Sequence, residues 1–201
     1  VTMQLMNLRV PVFVFGALLI ANGTAMAGNE QFRVAKGEVV VVCPLTIGGG
    51  FEAKTQAVSG DVVVAADQAG AIKGSLSVDL RTLKTGISLR DRHMRDNYLE
   101  VGNGAQFEKA TIEDIQIGKL DGKTTFNGTL VLHGERRPIS GAATLEKRDG
   151  GYAVQAEFPV KVSEYKITKP TYLGVGVQDE VKIKVALTVL PTTTVASRSQ
   201  K

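Results

Sequence analysis

Tryptophan is absent from the chain, aromatics make up only 5% of it, and cysteine and histidine number one and two. With so few aromatics there is no platform for stacking bases. The basic residues are scattered singly or in short pairs, without the Lys/Arg run that tracks a phosphate backbone. Both points exclude DNA and RNA as expected partners. One thiol excludes an intramolecular disulfide, so the fold must rest on core packing. Cys43 lies in VVVVCPLTI with no basic sequence neighbour and reads as a small buried apolar residue. No Cys/His set has metal-ligand spacing, so no metal site is expected. Gly48-Gly49-Gly50 lacks the following Lys-Ser/Thr and the βαβ context of a phosphate cradle.

What is present divides the 201 residues into three parts. In MQLMNLRVPVFVFGALLIANGTAMA (3–27), Arg9 precedes an apolar run from Val10 to Ala21, and Ala25-Met26-Ala27 has the small-x-small cleavage pattern. Residues 1–27 are therefore expected to be a secretory signal peptide, cut near Ala27, which implies a periplasmic or secreted protein. The apolar run is about a dozen residues, shorter than the roughly 20 that span a bilayer. Cleavage would remove one arginine and no acid, lowering the formal charge from +4 to +3. Residues 28–190 form the expected domain, and 191–201, ending in TTTVASRSQK, read as a disordered tail.

The domain alternates apolar and polar residues almost throughout. Phe32 to Val34, Glu38 to Ile47, Phe51 to Val58 and Val62 to Ala66 read as strands, with Pro44 bending or ending a ladder and Ser59-Gly60-Asp61 as a turn. Leu76, Val78 and Leu80 share a face; so do Phe126, Gly128, Leu130 and Leu132, and next Ile139, Gly141, Ala143 and Leu145. Tyr152 to Val162 and Val181 to Val189 repeat the period of two, and Phe107 to Ile117 also reads as β. Asp121-Gly122, His133-Gly134 and Asp149-Gly150 mark tight turns. Seven to nine antiparallel strands with one helix predict a closed up-and-down barrel or a sandwich, and closure would leave no exposed edge. Gly128, Gly141, Ala143 and Ala156 interrupt the apolar faces. They either leave room for an apolar ligand or relieve crowding where the barrel narrows.

Leu83 to Glu100, LKTGISLRDRHMRDNYLE, is the densest cluster of charge. Ser88 can cap a helix from Leu89 to Leu99, Asp91 and Arg95 fall four apart and can pair, and Met94, Tyr98 and Leu99 can pack inward. A lone His93 without a second His, Cys or acidic cluster makes a poor metal or acid–base centre. The expectation is a charged helix across one end of the barrel, carrying Arg90, Asp91, His93 and Arg95.

This stretch, followed by AQFEKATI and FNGTLVLHGERRPISGAATL and closed by DEVKIKVALTVL, resembles the YceI-like family of periplasmic lipid-binding proteins. The likeness covers about residues 31 to 190. It implies an all-β, eight-stranded antiparallel lipocalin-like barrel with one short helix between strands and a long apolar pocket. The implied ligand is a polyprenyl chain, isoprenoid quinone or fatty-acid derivative, and no other cofactor is implied. On that implication the pocket is expected to be lined by Leu76, Val78, Leu80, Phe107, Phe126, Leu130, Leu132, Ile139, Ala143, Tyr152, Phe158, Val160, Val185 and Leu187. The charged set Arg90, Asp91, His93 and Arg95 would sit at the mouth, with no catalytic residue among them. A membrane redox protein as recipient and a homodimer are compatible with the chain. A lipid-ester hydrolase using His93 is the competing class, but no Gly-x-Ser-x-Gly elbow accompanies it. The chain departs from the family pattern in AKGEVVVVCPLTIGGGF, which lacks histidine, and in SEYKITKPTYLGVGVQDE, which lacks the Arg-x-x-x-Gly element.

Overall fold

The computed structural model describes residues 29–64, 71–172 and 174–192. The expected signal peptide, the end of the strand read to Ala66 and nearly all of the expected tail lie outside the described residues. The strands are β1 (Glu30–Pro44), β2 (Gly50–Thr55), β3 (Val58–Val64), β4 (Ala71–Asp79), β5 (Lys109–Ile117), β6 (Gly122–Leu132), β7 (Glu135–Arg148), β8 (Gly151–Lys161), β9 (Thr171–Tyr172), β10 (Val175–Gly176) and β11 (Glu180–Pro191). Sequential antiparallel pairing runs from β3 through β8, then to β11, which pairs with β1. β1 is long enough to meet β3 with its first residues and β2 with its last, so β2 and β3 together make one wall. The result is a closed eight-stranded barrel, in which, among the described residues, the outer edge of β2 meets only an isolated bridge between Lys54 and Lys84.

The first four expected strands rearrange. Phe32 to Val34 and Glu38 to Pro44 are one continuous strand with an irregularity between Val34 and Lys36. Ser59-Gly60-Asp61 is not a turn but the middle of β3, in register with Ser77, Leu76 and Ser75. The glycine is there for close approach: a Cβ on Gly60 would lie 2.3 Å from the Ser75 carbonyl oxygen. The interruption falls instead at Gln56-Ala57, between β2 and β3. The Asp149-Gly150 and His133-Gly134 turns both have positive φ at their two residues (50° and 77°, 54° and 79°), the geometry that matches the twist of a two-residue hairpin.

The turns 118–121 and 149–150 lie at one end of the barrel. The β1–β2 loop, the long β4–β5 connection, the His133-Gly134 turn and the β8–β11 connection lie at the other. Among the described residues, apolar side chains fill the interior at the first end. Phe32, Val62 and Val189 form a buried cluster there, with Tyr152 edge-on to Phe32 at 5.5 Å and 70°. Deeper in, Phe126 from β6 and Phe158 from β8 meet edge to face at 5.6 Å and 83°, across the strand between them. They can meet because that strand has Gly141: a Cβ there would lie 2.8 Å from each side chain and 2.2 Å from the Glu157 carbonyl oxygen.

Candidate functional site: an apolar cavity at the open end

Above the Phe126–Phe158 pair the barrel is hollow. The cavity has a volume of about 910 Å³, near the upper end of the range for pockets that enclose a small ligand. Its walls are mostly apolar, with Arg90, His93, Tyr98, Thr168 and Thr171 as their polar members. Of the residues expected to line it, Leu76, Val78, Leu80, Leu130, Leu132, Phe158, Val160, Val185 and Leu187 do so. Most of these come from the halves of their strands nearest the open end, with Leu187 of β11 reaching deeper.

Phe107, Phe126, Ile139, Ala143 and Tyr152 do not line the cavity. Phe126, Ile139 and Ala143 belong to the packed core, and Tyr152 closes the opposite end against Phe32. β7 contributes nothing to the walls, because the rings that meet across Gly141 cover it. Gly128, Gly141, Ala143 and Ala156 are likewise absent from the lining, and of these Gly141 is the one that makes room for the two rings. Phe107 is not in a strand. Residues Ala105–Glu108 wind into a single helical turn, which places its ring against His133 at 4.6 Å. His133 is a turn residue outside the lining, its Nε2 3.1 Å from a carboxylate oxygen of Glu100.

The sequence reading missed one whole wall: Val39, Val41 and Cys43 of β1, with Phe51 and Ala53 of β2. In VVVVC every residue is apolar, so alternation has no phase and cannot say which residues face inward. The Cys43 thiol is pushed up to about 11 by burial; Arg90, brought near by the fold, opposes that shift without overcoming it. Also unforeseen were Ala110 and Ile112 of β5, Val181 and Ile183 of β11, and the aperiodic β8–β11 connection, whose Ile167, Pro170, Val175 and Val177 cross the mouth. It is tied to the β1–β2 loop by backbone bonds from Thr46 N–H to the Gly176 carbonyl (2.8 Å) and from Gln178 N–H to the Pro44 carbonyl (2.8 Å). The two segments that depart from the family pattern thus meet and build one side of the mouth together.

The charged stretch builds the other side. It forms the short helix α1 (Ser88–His93), which passes into a π-helical turn at Met94–Tyr98. Met94, Tyr98 and Leu99 face the cavity, as do Arg90 and His93. Ser88 does not cap the helix: Ile87 occupies the N-cap position, without a side-chain bond. Asp91 does not pair with Arg95 either. Its buried carboxylate accepts bonds from the Thr85 N–H (2.6 Å) and hydroxyl (2.5 Å), and these hold its pKa below the usual carboxylate range. Arg95 donates to the Leu83 carbonyl at 3.1 Å, and Arg90 donates to the Thr85 hydroxyl at 2.8 Å while its guanidinium lies 4.2 Å from the Phe51 ring centroid. The charges therefore lash the helix to residues 83–85 and to β2 instead of pairing along the helix. His93 reaches the cavity, but Asp91, the acid that could have oriented it, is turned away to Thr85.

Comparison with known proteins bears on this geometry. The YceI-like domain matches residues 31–189. The fold is similar to the crystal structure of BcnA from Burkholderia cenocepacia, with a TM-score of 0.63 and 18% identity over 76% of this chain and 95% of that one. It is also similar to a polyisoprenoid binding domain from Saccharophagus degradans implicated in plant cell wall breakdown, with a TM-score of 0.58 and 17% identity over 80% of this chain and 98% of that one. No curated protein matches the chain. A family domain that spans the barrel from its first strand to its last is shared by the whole described fold, and the chain belongs to the YceI-like family.

Proposed function

We propose that the protein binds one long apolar lipid, an isoprenoid or acyl chain, inside the barrel and carries or sequesters it in the periplasm without chemical change. The observation that carries this reading is the cavity of about 910 Å³ with mostly apolar walls, sealed at one end by interlocked aromatic rings and open at the other. Each methylene moved from water onto such walls gains about 0.8 kcal/mol, so a tail of ten or more carbons needs little polar recognition. The ligand named for the Saccharophagus domain supports the isoprenoid class. The engagement of Asp91 with Thr85 leaves His93 without an acid partner, which favours binding over acid–base chemistry.

Native mass spectrometry of the protein purified from its own cells, followed by release of the bound species, tests the reading. One apolar isoprenoid or acyl molecule per chain is expected. Leu130→Asp, which puts a charge on the wall, should remove that molecule while the circular dichroism of the barrel is retained. An empty protein that also ignores added quinones and fatty acids would overturn the proposal.

A further inference from the structure

An apolar lipid that enters such a barrel must leave a membrane, and the open end has the surface for that transfer. Among the described residues the large apolar side chains left exposed are Ile47, Ile87, Leu89 and Leu190, at 67%, 54%, 54% and 38%. The three most exposed belong to the open end. Ile87 and Leu89 face solvent and also line the cavity, so apolar surface runs without a break from outside the barrel to inside. Ile47 is at the tip of the β1–β2 loop, between the lining residues Leu45 and Phe51. Phe51 lies under Arg90, which brings that loop beside the start of α1. The loop sequence Leu45-Thr46-Ile47-Gly48-Gly49 carries no charge.

The stretch of rim that carries Ile87 and Leu89 is net positive. From Lys84 to His93 the chain holds Lys84, Arg90 and Arg92 against a single acid, Asp91, whose carboxylate points inward to Thr85. Lys84 and Arg92 are exposed, and neither has a carboxylate within 4.0 Å among the described residues. Leu89 and Arg92 are three apart on the helix and share a face. Asp96, the next acid, follows in the π-helical turn. Across the mouth, Lys166 and Lys169 are already paired with Glu135 and Asp179. Apolar tips beside unpaired cations match an anionic bilayer, which takes the tips into its acyl boundary and the cations at its headgroups.

We infer that the open rim, Ile47, Ile87 and Leu89 with Lys84 and Arg92, is a docking surface for an anionic lipid bilayer and holds the mouth against the membrane during lipid exchange. The inference rests on the carrier reading for its purpose. Its test is independent of bound ligand: hydrogen–deuterium exchange of the full chain with and without vesicles of phosphatidylglycerol and phosphatidylcholine. The expected result is slower exchange in residues 45–49 and 86–93, weaker with pure phosphatidylcholine and weakened by high salt, with the turns at 118–121 and 149–150 unchanged. Ile87→Asp with Leu89→Asp should weaken vesicle partition about tenfold or more while the packed end keeps its exchange pattern. Wild-type rim segments that exchange equally fast with anionic vesicles would overturn the inference, even if the double variant fails to fold. Slowing that needs only a higher protein concentration would overturn it in favour of self-association. Rim protection in a protein that never holds lipid would count against carriage alone, and a lipid-loaded protein without rim protection against docking alone.

Discussion

At one end of the barrel Phe32, Tyr152, Phe126 and Phe158 lock edge to face; at the other, β1, β4, β6, β8 and β11 present Val, Leu and Ile to an empty volume of about 910 Å³. The strands are the same and so is their alternation. What differs is the reach of the side chains. In the packed half two phenylalanines span the interior because Gly141 between them gives way. In the hollow half the inward side chains line the space without filling it. A barrel of this size is therefore filled or hollow at each level according to a few residues, and a ligand site can occupy half of a core that stabilises the rest.

The largest test of the comparison is to hollow the packed half. Phe126→Ala should cost about 3–5 kcal/mol in equilibrium denaturation, the range for a buried aromatic whose space cannot collapse. Leu132→Ala, in the cavity wall, should cost about 2 kcal/mol or less, since its side chain already faces empty volume on one side. Equal losses would erase the distinction between the halves. Gly141→Ala attacks the contact itself: its methyl would overlap Phe126, Phe158 and the Glu157 carbonyl, for a loss of about 1–3 kcal/mol by the same measurement.

The open end should respond to pH through Asp91. Bonds from Thr85 stabilise the ionised form of Asp91, so its folded-state pKa lies below its unfolded one. Its contribution is complete above the unfolded value, near pH 4, and is lost as the pH falls toward the folded value. Asp91→Asn should cost about 1–2 kcal/mol at neutral pH and flatten this acid limb, with faster amide exchange at residues 85–93 as the local readout. An acid limb that is unchanged in the variant would assign it to other carboxylates. The smallest effect is expected at the packed end's surface: Arg33 and Asp61 form a 2.6 Å ion pair, but their side chains are 66% and 63% exposed. Asp61→Asn should leave the melting temperature within about 2 °C of wild type.

Much of the barrel was legible because strands buried on one face write a period of two. Val181 to Val189 alternates with Lys182, Lys184 and Thr188, and that strand forms as read. The Asp149-Gly150 turn was legible because few residue pairs accept positive φ twice. Ser59-Gly60-Asp61 misled because a glycine that admits a neighbouring strand is locally the same as one that makes a turn. Phe107 misled because an aromatic just ahead of Thr111-Ile112 fits the start of that strand as well as the single helical turn it occupies.

The sequence by itself determined the antiparallel strands and most of their turns, which are written in local pattern and turn chemistry, and its motifs carried the resemblance to the family; the helix read over Leu89 to Leu99 forms as Ser88–His93 and a π-helical turn. Only the tertiary structure decided where the void lies. Which inward side chains meet depends on the register of neighbouring strands and on what faces them across the barrel: the β6–β7–β8 pairing sets Phe126 against Phe158 over Gly141, while Leu130 faces empty space. It also decided the partners of Asp91 and Arg95: the spacing offered each to the other, but the folded loop brought Thr85 and the Leu83 carbonyl closer.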